Sequence, residues 1–453
     1  MPPAYHGDVL WIDGVEVSTT DGHYATFGMS QAPYPLAGDA RDVAEDVRRL
    51  GGVGVAAHGD SVKSEAQWRD WNAPIDGVEW LNLDSVWREA GIFRLGRALL
   101  TYWFHPATTL DALGARPTQS LAHLDAVAAG RHVMVLAATD AHGRMLPSYD
   151  ACFGAFSTRV ELEHRLSGDA ASDAAAIVAA LGAGHHYTVL DGLAASAGFD
   201  FSARHNGTVA NEGDTVPAGV PVTFDMHLEG QPDAKSVLLK DGAPVQDSLA
   251  NAWSHATGGE PGEYRVEVTL PSSPGTPPLP WILSNPIYVG ERATHTMTSP
   301  ALTSLSLPMP LRWHVEKDTL TSASLASDQD HLQLHVTLGS GAPANQFAAA
   351  ASAVPSAFAS SRGLRFTVGA SKPMRLSVEL RGKGDRRWER SIYADDHARP
   401  VLVTWDDMRP VAPNADAHPT VADVESLLLL VGVSHTAPGT AVDVDVSGLA
   451  LQQ

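Results

Sequence analysis

Val53-Gly54-Val55-Ala56-Ala57-His58 is a short apolar run that ends on a histidine. Val133–Ala138 is a second such run, and Thr139-Asp140-Ala141-His142 follows it directly. Each reads as a buried strand that delivers a ligand-type side chain to its C-terminal end. Val78-Glu79-Trp80-Leu81 repeats the theme between them. Helical patterns fill the gaps. Asp39 reads as the N-cap of a helix through Leu50, with Val43, Val47 and Leu50 on one face and Gly51 as the stop. Further helical stretches lie near 84–112 and 118–130, and a last one at Ala170–Leu181 precedes a strand at Tyr187–Leu190. Upstream, Val9–Ile12 and Val15–Val17 read as a strand pair or one long kinked strand, and His23–Phe27 as the next. This alternation argues for a parallel α/β layer or barrel over residues 1–195. Side chains issuing from the C-terminal ends of parallel strands meet at one mouth. Glu16, His58, Asp140 and His142 are placed to do so.

After residue 195 the helical signal stops. Val220–Phe224, Val237–Leu239 and Tyr264–Val268 alternate between turn residues, the signature of a small Ig-like β-sandwich over 196–292. Tyr288–Pro310 reads as a linker, and a second β-rich block covers 305–453. The fold class is therefore α/β plus all-β, in three parts.

At 453 residues, with 44% hydrophobic and 18% charged residues, the chain has ordinary globular composition. Its net charge of −21 argues against a broad nucleic-acid-binding surface. The longest apolar run, Leu427–Val433, is far below the ~18–20 residues of a bilayer span. The first residues carry no signal-peptide pattern. A lone cysteine, Cys152, leaves metal binding to imidazole and carboxylate, a donor set that suits Zn²⁺, Mn²⁺ or Fe²⁺.

Gly14–Tyr24, Gly51–His58, Trp68–Trp71, Asp76–Asn82 and Thr139–Gly143 together resemble the later motifs of the PHP (polymerase and histidinol phosphatase) metallohydrolases. Pro280–Val289 is similar to the closing segment of PHP proteins that carry a β-domain. The resemblance implies a (β/α)7-type barrel hydrolysing small phosphoesters with up to three Zn, Mn or Fe ions. It implies Glu16 as a metal-bridging carboxylate, His23 and His58 as the imidazoles of one metal, and Asp140 and His142 as ligands of two others. Arg144 is the candidate for holding a phosphate oxygen. The block 305–453 resembles galactose-binding-like jelly rolls, which makes carbohydrate a second expected partner.

The family opens with His-x-His and Thr-Asp-His motifs, and neither precedes Glu16. The expectation is an incomplete barrel lacking roughly two βα units, with Asp140 and His142 left without partner ligands and activity weak or absent. The alternative function is a non-catalytic carbohydrate-binding or structural protein with a relic hydrolase domain. β-domains behind a hydrolase point to a periplasmic or extracellular setting.

Overall fold

The computed structural model describes residues 2–143, 146–195, 198–291, 307–308, 311–328, 330–340, 346–411, 415–434 and 436–452. Two hairpins open the chain. Ala4–His6 (β1) pairs with Val9–Trp11 (β2), and Gly14–Thr19 (β3) with Gly22–Phe27 (β4). Val9–Trp11 therefore turns back on the residues before it and does not pair with Val15–Val17. The second turn is fixed by local chemistry. The Thr19 hydroxyl donates to the Gly22 carbonyl and accepts from the Asp21 amide. Gly22 has φ +112°, and a Cβ there would sit 2.3 Å from the Gln67 carbonyl oxygen, so only glycine fits.

Helix α1 (Ala40–Arg49) begins where Asp39 accepts from the Arg41 amide at 2.9 Å, and buries Val43 and Val47. Val53–Ala56 (β5) and Gly77–Asn82 (β6) follow, then α2 (Leu83–Glu89), α3 (Ile92–Tyr102), α4 (Pro106–Ala112) and α5 (Thr118–Gly130). Met134–Ala138 (β7), α6 (Tyr149–Ala155), Ser157–Val160 (β8), α7 (Ala170–Ala183) and His186–Val189 (β9) complete the mixed region. Among the described residues strand predominates, at 42% against 20% helix.

The sheet order β3-β4-β5-β6-β7 departs from the expected parallel layer. Only β5-β6 and β6-β7 are parallel, whereas β3, β4 and β5 are antiparallel neighbours. For β3–β4 the reason is the two-residue turn at Thr20-Asp21, too short for a crossover; β4–β5 is antiparallel although residues 28–52, with α1, join them. The sheet is open, with β3 at one edge and β7 at the other.

The β7 edge is closed by side chains. Asn285 accepts from the Val135 amide at 2.7 Å and donates to the carbonyls of Val135 (3.1 Å) and His186 (2.7 Å). The Tyr288 hydroxyl accepts from the Val133 amide and donates to the Val133 carbonyl at 2.8 Å. Both residues flank or lie within short strands at Ile282–Ser284 and Ile287–Val289, in a sheet that also contains β8 and β9. Residues 1–195 and 196–292, read from sequence as separate domains, consequently share one compact unit, Met1–Ser30 with Asp39–Thr296. Within it Arg265, 1% exposed, is ringed by Asp125, Glu263 and Glu267.

The second unit is Gln31–Gly38 with Met297–Gln453. Its antiparallel strands form two sheets, which close over Leu334, Phe366, Val378, Trp388, Leu429 and Val444. This is a β-sandwich. Tyr34 packs on Tyr393 at its surface, 6.4 Å between ring centroids.

His186 supplies a pH test of the first unit. It is fully buried, its Nε2–H donates to the Val135 carbonyl at 3.0 Å, and Nδ1 has no partner among the described residues. Burial pushes its pKa down to about 4. A depressed histidine pKa leaves its stability contribution complete above ~6.5, and protonation of the unfolded chain removes it as pH falls towards 4. The expected loss is on the order of 3 kcal/mol. Urea midpoints at pH 7 and pH 4.5 should diverge less for His186→Gln than for wild type; equal divergence would exclude this role.

Candidate metal centre

The β3–β4 register sets the first cluster. Glu16 lies opposite Ala25 and His23 opposite Ser18, so Glu16 and His23 are diagonal neighbours on one face. Val17 and Tyr24 take the other face, into the core. His58 follows β5, whose direction matches that of β3, and so reaches the same rim. Glu16 Oε1 is shared between His23 Nδ1 and His58 Nε2, the latter at 3.0 Å. The two imidazole rings are 5.4 Å apart and nearly edge to face. One donor atom from each of Glu16, His23 and His58 falls within 4.8 Å of the others.

His58 adopts φ 58°, a left-handed conformation uncommon for a side-chain-bearing residue. Glu79 holds that bend. Its Oε2 accepts from the His58 amide at 2.6 Å, while Oε1 accepts from Asn82 Nδ2 at 2.9 Å. Asn82 in turn caps α2 by accepting from the Ser85 amide. In the sequence Glu79 is one residue of the Asp76–Asn82 motif and carries no assigned role. An acid inside Val78-Glu79-Trp80-Leu81 was the available signal, since a buried strand tolerates a carboxylate only with partners.

Asp140, directly after β7 and its Thr139, also has positive φ, 45°. His142 Nε2 lies 3.4 Å from Asp140 Oδ1 and 3.7 Å from Asp84 Oδ2. Asp84 sits in the first turn of α2, where Arg88 also engages it. Asp84, Asp140 and His142 thus form a second group within 4.8 Å. Asp84 stands beside Asp140 and His142, whose family partner ligands the sequence lacks. Asp84 was missed as a ligand because its proximity to Asp140 and His142 joins residues more than fifty apart in the chain. Arg144 lies outside the described residues.

The electrostatics follow from crowding. The hydrogen bond from His58 leads in lowering the Glu16 pKa. For His58, burial pulls downward, but the Glu16 hydrogen bond and the charges of Glu79, Glu16 and Asp140 win and lift it to about 8. Burial raises Glu79 to about 7 and also raises Asp140. Alongside His58, Glu79 and Asn82 lies a cavity of about 390 Å³, with Asp60, Glu89, Arg94 and Gln119 in its walls.

Two imidazoles and one carboxylate around a common point are a fitting donor set for Zn²⁺, Mn²⁺ or Fe²⁺. Asp84, Asp140 and His142 are a second, harder set.

No family model and no curated protein matches the chain. Among solved structures it is similar to a family 11 carbohydrate-binding module from Clostridium thermocellum in complex with a β-1,3-1,4-mixed-linked tetrasaccharide. The TM-score is 0.25 at 11% identity, over 31% of this chain and 88% of that one. It is also similar to an exo-β-agarase, with TM-score 0.22 and 10% identity over 30% of this chain and 23% of that one. A mutant of the family 29 module CBM29-2 with cellulohexaose gives TM-score 0.20 and 13% identity, over 30% and 79%.

A thermal-shift titration reads the cation site directly. At 100-fold excess over Kd, binding to the folded form alone stabilises by about 2.7 kcal/mol. Mn²⁺ or Zn²⁺ should raise Tm of wild type, and Glu16→Gln should lose most of that rise. An equal rise in both proteins would remove Glu16 from the site.

Proposed function

We propose that the chain is a metal-dependent hydrolase of the PHP type, acting on phosphoesters. The observation that carries this reading is the single Glu16 oxygen shared by His23 and His58, with Asp84, Asp140 and His142 gathered at the same rim. Glu16, His23 and His58 would hold one divalent cation, and Asp84, Asp140 and His142 a second. A bound divalent cation supplies Lewis acidity towards a phosphoryl oxygen and acidifies water.

The protein's own contribution is positional. Glu79 pins the His58 backbone and Asn82 fixes Glu79, so the imidazole is held without relying on a loop's own stiffness. The adjacent cavity gives the ester's organic group a place to sit beside His58, with Arg94 as a cationic wall. Wild type with Mn²⁺ or Zn²⁺ should hydrolyse bis(p-nitrophenyl) phosphate or p-nitrophenyl phosphate. His58→Ala and Glu16→Ala should each lower turnover by about 10- to 100-fold or more. Turnover that survives both substitutions would end the hydrolase reading.

A second reading concerns the Met297–Gln453 unit, for which we propose carbohydrate binding. On strand His331–Thr337 the residues His331, Gln333 and His335 face solvent, next to Asp443 and Asp445 on Ala441–Gln452. His335 Nδ1 contacts Asp443 at 2.6 Å and His331 Nε2 contacts Asp445 at 3.3 Å. Such a face offers donors and acceptors in a row, the chemistry that polyols match. Affinity electrophoresis of the full chain through a panel of soluble polysaccharides should show retardation, reduced in His335→Ala with Asp443→Ala. Unretarded migration in every gel would leave this unit a packing domain.

A further inference from the structure

Helix α3 and the two residues after it, Ile92-Phe93-Arg94-Leu95-Gly96-Arg97-Ala98-Leu99-Leu100-Thr101-Tyr102-Trp103-Phe104, are apolar on both sides. The inner side is spoken for: Ala98 and Tyr102 are buried, and Ala98 joins a small cluster with Ala90 and Leu113. The outer side is not. Phe93 is 91% exposed, Ile92 80%, Leu100 75%, Trp103 72% and Phe104 78%. At 3.6 residues per turn, Ile92, Phe93, Leu99, Leu100 and Trp103 fall within roughly 120° of one another, so they form one stripe. A helix with two apolar sides, parted by Arg94, Arg97 and Thr101 in its sequence, needs an apolar partner on each. Here only one side has one.

Two observations say what covers the other. The first is charge. The chain carries −21, so two copies repel wherever carboxylates meet. From Ala90 to Leu110 the sequence has Arg94 and Arg97 and no Asp or Glu. This is a stretch where two such acidic molecules can approach without acid facing acid. The second is area. With aromatic side chains of ~150–250 Å² each, the exposed face amounts to roughly 800 Å². That matches what each partner gives to a stable interface and exceeds the ~300–600 Å² patch common on a monomer.

We propose that the outer face of α3 is a self-association surface, on which a second copy of this chain packs α3 against α3. The pairing is isologous, each Phe93 and Leu100 stripe meeting its own image. It also has a local consequence. Ala90 and Arg94 line the cavity beside His58, so the partner braces a wall of that cavity from behind. The association stands independently of the metal reading, because none of its residues is a candidate ligand.

Light scattering coupled to size exclusion tests it on the full chain. Wild type at micromolar concentration should have twice the 47.9 kDa chain mass. The double variant Phe93→Asp/Leu100→Asp, which touches only exposed positions, should fall twofold in mass with unchanged far-ultraviolet circular dichroism. A separate Leu100→Cys variant should yield a cross-linked dimer with a short bismaleimide, since Cys152 is buried and cannot substitute for it. A wild-type monomer at every concentration overturns the proposal, as does a double variant that stays dimeric or a dimer that fails to cross-link. Monomeric protein that co-sediments with phosphatidylcholine/phosphatidylglycerol vesicles through Trp103 and Phe104 overturns it in favour of a lipid surface.

Discussion

Closure of the β7 edge by Asn285 and Tyr288 is the constraint on which the first unit depends. An edge strand inside a protein leaves amides and carbonyls that cost about 1–3 kcal/mol each if unpaired. The backbone groups of Val133 and Val135 that face away from β6 would be such orphans. One phenol hydroxyl and one carboxamide satisfy all four, and His186 adds a second donor to the Val135 carbonyl. A side-chain amide imitates a neighbouring peptide group, so the sheet stops at β7 without an exposed ladder. The same Asn285 also binds the His186 carbonyl, and that bond ties the α/β sheet to the β-rich sheet that contains β9.

The candidate centre meets that closed strand only at Asp140 and otherwise has its own supports. Asp140 leaves the end of β7 in a left-handed conformation, and His58 leaves β5 in another. Such backbone states persist only where neighbours over-determine them. For His58 the determinant is Glu79, fixed by Asn82. On the opposite side the β3–β4 hairpin brings Glu16 and His23 across from His58, and its turn depends on Gly22 lying against the Gln67 backbone. Three separate backbone devices therefore aim at one rim.

What the sequence disclosed, and what it withheld, divides along the range of the interactions. Asp39 as a cap, the Val43/Val47 face and the strand at Val53 were legible because capping and periodicity are local. That His58, Asp140 and His142 follow apolar strands was legible for the same reason. The antiparallel course of β4 was not, because a run such as His23–Phe27 carries the same pattern in either direction. As a ligand, Asp84 was hidden by its helix, since two residues after the Asn82 N-cap it reads as a dipole-matched first-turn acid. The continuity of residues 1–195 with 196–292 was also hidden. It rests on Asn285 and Tyr288 reaching about 150 residues back along the chain, and nothing in Ser284-Asn285-Pro286 distinguishes that role from a turn.

Glu16, Glu79, Asp84 and Asp140 converge on a rim where burial leads in raising the Glu79 and Asp140 carboxyls, with Asp140 adding to the first and Glu16 and Asp84 to the second. Folding that only sought stability would disperse them, because each carboxylate raises the cost of ionising the next. Histidines offset part of this cost: His58 takes up positive charge between Glu16 and Glu79, and His142 stands between Asp84 and Asp140. The arrangement interleaves His58 and His142 with two acids each, and sets His23 against Glu16 alone, at spacings a small dication would bridge more effectively than a proton on one ring nitrogen. The physical case for cation binding lies in that interleaving, more than in the number of acids.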